Sequence, residues 1–195
     1  MKLVINAIVA AVLSIVGISS WLSAGEPKSV FLDLIDGTLN KTPLSQLSID
    51  RVTDILGRPS AVDNKFPAAL GPGLLYRDFG VSVWFRVDQS CCQTIAIFLS
   101  RSPKAPDFFP FRGNLSPAIT GDWKVNRILD ELAAFRPVYR SADEVRRETE
   151  ARTKIKSTGS TFDEIEVLRE SHSLTFSADP ITKFVERINV YVTKK

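Results

Sequence analysis

Apolar positions along this chain recur with two periods. Val30–Ile35 is a β-branched and aromatic run, and Asp36-Gly37 is a tight-turn pair before Thr38-Leu39-Asn40, so the pattern predicts a hairpin. The period then lengthens: Ile49, Val52, Ile55 and Leu56 fall on one helical face, Ser48 is placed to cap it, Gly57 to stop it, and Pro59 bars its continuation. After a loop over 61–73, the stretch 74–87 alternates through Val81, Val83 and Phe85, predicting a strand pair or one bent strand. The segment 88–93 turns, and 94–100 returns as a strand with Ile95, Ile97 and Leu99 facing one way. Downstream the same order is expected from a strand over 108–115, a helix over 122–135 closed by Pro137, and strands near 164–177 and 183–193.

Sliding the sequence against itself by 76 positions pairs Gly37 with Gly113, Arg51 with Arg127, Val52 with Ile128 and Asp54 with Asp130. Sliding by 93 pairs Val81 with Leu174, Ile95 with Ile188 and Ile97 with Val190. The reading is an internal repeat: an α+β fold of two tandem hairpin/helix/antiparallel-sheet modules, 28–100 and 107–193, joined by a proline-bearing linker. The larger second offset implies an insertion at about 140–157, RSADEVRRETEARTKIKS. There Ser141 and Glu144 form a capping box. Asp143/Arg147, Glu148/Arg152 and Glu150/Lys154 stand as opposite charges at i,i+4, predicting a solvated helix that could alternatively present Arg146 and Arg147 to a partner.

The first segment differs in kind. Leu3 to Leu22 carries no charge and follows only Lys2 and the amino terminus, so residues 1–25 read as either a cleaved signal peptide or a transmembrane helical anchor. No Cys lies near the possible cut, which excludes a bacterial lipoprotein anchor. The body is thus expected to be exported, periplasmic or anchored in the inner membrane facing the periplasm, with the membrane itself a partner if residues 3–22 are retained.

Composition narrows the chemistry. With 25 basic and 22 acidic residues the charge is too balanced for nucleic acid, and Gly71-Pro72-Gly73 is no phosphate loop, so no nucleotide is expected. Cys91 and Cys92 are adjacent and cannot staple distant segments. They read as partly buried thiols or as a redox-sensitive pair, and lack the further ligands a metal needs. His172, the one histidine, falls in an expected strand; Asp33/Asp36 and Asp163/Glu164/Glu166 fall at a turn and a strand start. No catalytic, metal or cofactor site follows. Phe108, Phe109 and Phe111 read as core. Tyr76, Arg77, Asp78 and Trp84 have the types expected of a partner-binding surface.

Leu56-Gly57-Arg58-Pro59 ending a short helix, then Tyr76 on a strand, then Ile95 and Ile97 closing a hairpin, resembles the small SmpA/BamE-type lipoprotein module of bacterial outer-membrane assembly. It also resembles small domains of toxin-immunity proteins. The resemblance implies a non-enzymatic protein-binding module, with a toxin as partner in the immunity reading. An envelope assembly or structural accessory is the alternative, and a hydrolase with an unrecognised site the remaining one.

Overall fold

The computed structural model describes residues 29–64, 71–101, 105–153 and 162–193. Phe31–Asp33 (β1) and Thr38–Leu39 (β2) form the expected hairpin, turning through Gly37 at φ +62, and Thr42–Pro43 (β3) adds a short third strand. Ile49–Leu56 (α1) is capped as the sequence predicts: Ser48 Oγ accepts from Arg51 N at 3.2 Å and Gly57 sits at φ +80. Ala61–Asp63 (β4) lies in the segment expected as loop. Gly73–Tyr76 (β5) and Val81–Phe85 (β6) resolve the bent strand into a pair joined by a 3-10 turn over 77–79, and Cys92–Phe98 (β7) begins earlier than expected.

The second half supplies Asn114–Ser116 (β8), Val125–Glu131 (α2) and Val138–Arg140 (β9). Ala142–Thr153 (α3), Asp163–Leu168 (β10), His172–Ala178 (β11) and Val185–Val192 (β12) complete the order. The helix expected over 122–135 is shorter, finishing in a 3-10 turn over 133–135. In α3 the capping box is present, with Glu144 Oε2 accepting from Ser141 N at 2.8 Å, and no residue of the helix is buried. Asp143 pairs with Arg146 at i,i+3, 2.7 Å, while Arg147 Nε donates to the Asp143 carbonyl.

Strands dominate, in two sheets: β3-β2-β1-β8, and an eight-stranded antiparallel sheet β4-β5-β6-β7-β12-β11-β10-β9. This overturns the α+β reading of two tandem modules and the internal repeat behind it. The hairpin β1–β2 pairs in parallel with β8 from the other half, and β7 pairs directly with β12. Ile97 stands opposite Ile188 and Ile95 opposite Val190, so residues whose likeness suggested copies are cross-strand neighbours on one core face. The physical reason is edge pairing. A hairpin ending at β7 leaves a row of unpaired amides that a second strand satisfies best. One core cluster, from Val30 through Val83 and Ile128 to Val192, runs through both halves. The hydrophobic helix expected at Leu3–Leu22, with the transmembrane and signal-peptide readings, falls outside the described residues. Among those described, no helix is long and apolar enough to cross a membrane.

Candidate functional site

Alternation decides what the large sheet shows to solvent. Odd positions of β10 (Ile165, Val167), even positions of β11 and β12 (Leu174, Phe176, Ile188, Val190) and their neighbours Val83, Ile95 and Ile97 point into the core. The opposite face carries two unbroken cross-strand rows. One runs Leu75, Ser82, Ala96, Asn189, Thr175, Glu166; the other runs Gly73, Trp84, Thr94, Tyr191, Ser173, Leu168. A further short row places Phe98 beside Arg187, Ser177 and Glu164.

Small side chains therefore form a floor, and large ones rise around it. Ser82 and Ala96 are covered, 4% and 8% exposed, beneath Trp84, Leu75 and Phe98, whereas Tyr191 is 43% exposed at the rim. The result is a groove of about 590 Å³ whose lining includes Trp84, Phe98, Phe108, Arg187, Asn189 and Tyr191. Phe108 stacks on Phe98 with ring centroids 4.1 Å apart, extending the wall beyond the sheet. Trp84 lies flat because its cross-strand neighbour is Gly73: a Cβ there would come within 2.5 Å of the indole ring. Trp84 and Tyr191 flank Thr94 in one row, which sets their backbones about 10 Å apart, two strand spacings.

The two ends of this face differ electrostatically. Toward β9, Arg140 holds Glu166 at 3.0 Å, Glu164 at 3.6 Å and Glu148 of α3 at 3.4 Å, so the acids there are committed. Burial raises the Glu164 carboxyl above its ordinary range, against the pull of Arg140 and with a push from Glu166. Burial likewise raises the Tyr191 phenol, opposed by Arg187 and aided by Glu164 and Glu166, which keeps its hydroxyl a donor. Arg187 lies against Phe162, 5.7 Å to the ring centroid, and its buried Nε has no hydrogen-bond partner.

The residues chosen from sequence scatter. Trp84 is in the groove. Tyr76, 2% exposed, is in the core on the other face of the sheet and cannot meet a partner. Arg77 and exposed Asp78 occupy the 3-10 turn after β5, where Arg77 O accepts from Phe109 N at 3.0 Å. Arg146 and Arg147 ride on α3. Cys91 and Cys92 are free thiols. Alternation sends Cys92 into the core, where burial and the neighbouring Cys91 push its thiol upward, while half-buried Cys91 accepts from Arg86 Nε at 3.1 Å. Sequence reading missed Phe98, Arg187, Asn189 and Tyr191. The signal was present: they are the positions between the aliphatic residues used to identify β7 and β12.

Two other polar centres are structural. Asp163, 1% exposed, accepts from Lys183 Nζ (2.6 Å), Tyr139 Oη (2.8 Å) and Ala142 N (2.9 Å), tying β9, β10, α3 and the 179–185 turn together. His172, 2% exposed, donates from Nε2 to the Leu34 carbonyl at 2.7 Å and receives Gly37 against its ring, where a Cβ would come within 2.6 Å of Nδ1. Among the described residues no group of three or more His, Cys, Asp or Glu could hold a metal ion.

No family model and no curated protein matches this chain. Among solved structures, a cysteine-rich secretory protein from Staphylococcus aureus is similar at 9% identity and a TM-score of 0.40, over 85% of this chain and 51% of that one. The chain thus spans about half the length of that structure, and a likeness so weak carries no argument. The resemblance to the SmpA/BamE-type module and to immunity domains is not upheld: the comparisons match neither, and sheet dominates the fold. Of the residues that carried it, Tyr76, Ile95 and Ile97 are core residues that many β-folds need, and Leu56-Gly57-Arg58-Pro59 is the stop of α1.

Proposed function

We propose that this chain is a protein-binding module that holds its partner on the open face of the eight-stranded sheet. The observation supporting this is the groove walled by Trp84, Phe98, Phe108 and Tyr191 over a floor of Ser82 and Ala96. Concave, mostly apolar surfaces with a few convergent polar groups are where ligands bind. Trp, Tyr and Arg are the side chains that concentrate binding energy in protein interfaces. The uncharged stretch at residues 3–22 supports export, hence a partner met outside the cytoplasm.

Affinity capture on the full chain, compared with a Trp84→Ala/Tyr191→Ala variant of unchanged thermal stability, tests the reading. The partner captured by the native chain is then purified and its affinity measured directly. Each substitution is expected to weaken binding roughly 30-fold, as anchors worth about 2 kcal/mol do. Equal affinity of the native and doubly substituted chains would exclude this face as the binding surface.

A further inference from the structure

The groove has a charge as well as a shape. Glu164 and Glu166 sit with Arg140 on the β9 side, and the lining's own carboxylate, Asp63, stands at the opposite end on β4, whereas Arg187 on β12 forms no ion pair with any described residue. Its guanidinium is held from one side by the Phe162 ring, and Arg187 stands on the same face two residues along β12 from Asn189, whose amide lies in the floor, 7% exposed. The lining thus combines an apolar socket over Ala96, a neutral amide able to donate or accept, a carboxylate at the β4 end and, four strands away on β12, a cation with no ion-pair partner among the described residues. A guanidinium fixed against an aromatic ring keeps its planar fork oriented, the geometry that suits a carboxylate.

We infer that the partner segment seated here is an acidic one, inserting an aromatic or large aliphatic side chain over Ala96 and Ser82 and placing a neighbouring carboxylate on Arg187. This rests on the groove being the binding surface and adds the chemistry of what enters it. Trp84 and Tyr191 enclose the inserted side chain, Asn189 takes an adjoining backbone amide, and Arg187 supplies the discrimination. A basic or neutral segment would leave the cation unmatched, so selectivity comes from charge while the socket supplies affinity.

Three small probes sharing one ring test this on the full-length protein: 3-phenylpropionate, 3-phenylpropionamide and 3-phenylpropylamine, titrated while the Ala96 methyl, Trp84 indole N–H and Arg187 Nε–H resonances are followed. The acid is expected to shift all three signals saturably, the amide to bind at least tenfold more weakly, and the amine not to bind. Arg187→Gln should bring the acid down to the amide's affinity, Arg187→Lys should restore part of the difference, and Trp84→Ala should weaken acid and amide together. Equal binding of acid and amide to the native chain overturns the acidic-partner inference, as does absence of any shift. Saturable shifts from a chito-oligosaccharide without preference for the acid would replace the peptide by a glycan. The partner-capture experiment separates the two levels: capture lost on Trp84→Ala/Tyr191→Ala but indifferent to Arg187→Gln sinks the charge argument alone.

Discussion

His172 shows what a single residue carries in this protein. It is the one histidine in 195 residues, buried between β11 and the β1–β2 turn, with its Nε2 proton on the Leu34 carbonyl and its Nδ1 3.0 Å from Ser171 Oγ. Burial holds its pKa below the ordinary value; the Leu34 carbonyl opposes this, Arg169 assists, and Asp33 and Asp36 oppose. The unfolded chain therefore binds a proton that the folded chain resists. This contribution is intact above the ordinary histidine range and is lost as pH falls from about 6.5 toward the lower folded value. The His172 ring resonance should titrate below that of a free histidine, and His172→Gln should remove the corresponding step from stability measured against pH. Glu164, whose carboxyl is raised, titrates with the opposite sign, so the ring resonance is the cleaner readout. Asp163 has the same sign as His172, at lower pH. Burial raises its carboxyl, but the bonds from Lys183, Tyr139 and Ala142 N outweigh that and hold it below the ordinary range. Its stabilisation is present above about pH 4 and vanishes as the carboxyl protonates. Asp163→Asn should cost about 2 kcal/mol in denaturant unfolding at pH 7, since bonds to charged groups contribute on that scale, and far less at pH 2.

At the scale of elements, local signals were read well where the element satisfies itself. The helix α1 is bounded where Ser48 and Gly57 place it, and the Ser141/Glu144 box opens α3, because caps are local hydrogen bonds that need no distant partner. Ser48→Ala should accordingly cost about 1 kcal/mol in denaturant unfolding. Strands were less legible. The three-residue strands β4 and β9 show no usable alternation, and they exist because β5 and β10 offer them an edge. The site residues were harder still. Trp84 was singled out for its type, but so was Tyr76, and only register separates them: Trp84 is opposite Gly73 on the open face, Tyr76 opposite Val81 on the core side. This pairing yields a test at element scale. Gly73→Ala should push the Trp84 indole off the sheet, lowering partner affinity at least tenfold while leaving far-ultraviolet circular dichroism unchanged, since the backbone ladder needs no glycine there.

Over the whole molecule, the two halves are held as one body by the β7–β12 seam and the parallel β1–β8 pair. Residues 29–101 or 105–193 expressed alone should show no cooperative thermal transition, because each would expose a long strand edge and half of a shared core. The two fragments mixed together should recover one. A half that melts cooperatively at the temperature of the whole would argue against a shared core. The sequence alone determined the caps, the hairpins and the two-residue rhythm of the strands, since each depends on neighbours within a few positions. Tertiary structure alone decided that two sheets are shared instead of duplicated and that Trp84, Phe98, Arg187 and Tyr191 meet. Strand edges choose partners by which amides are left unpaired, and a one-residue change of register moves every side chain to the other face. That choice is made between segments some ninety residues apart, and it is what turns the unremarked alternate positions of β7 and β12 into a groove.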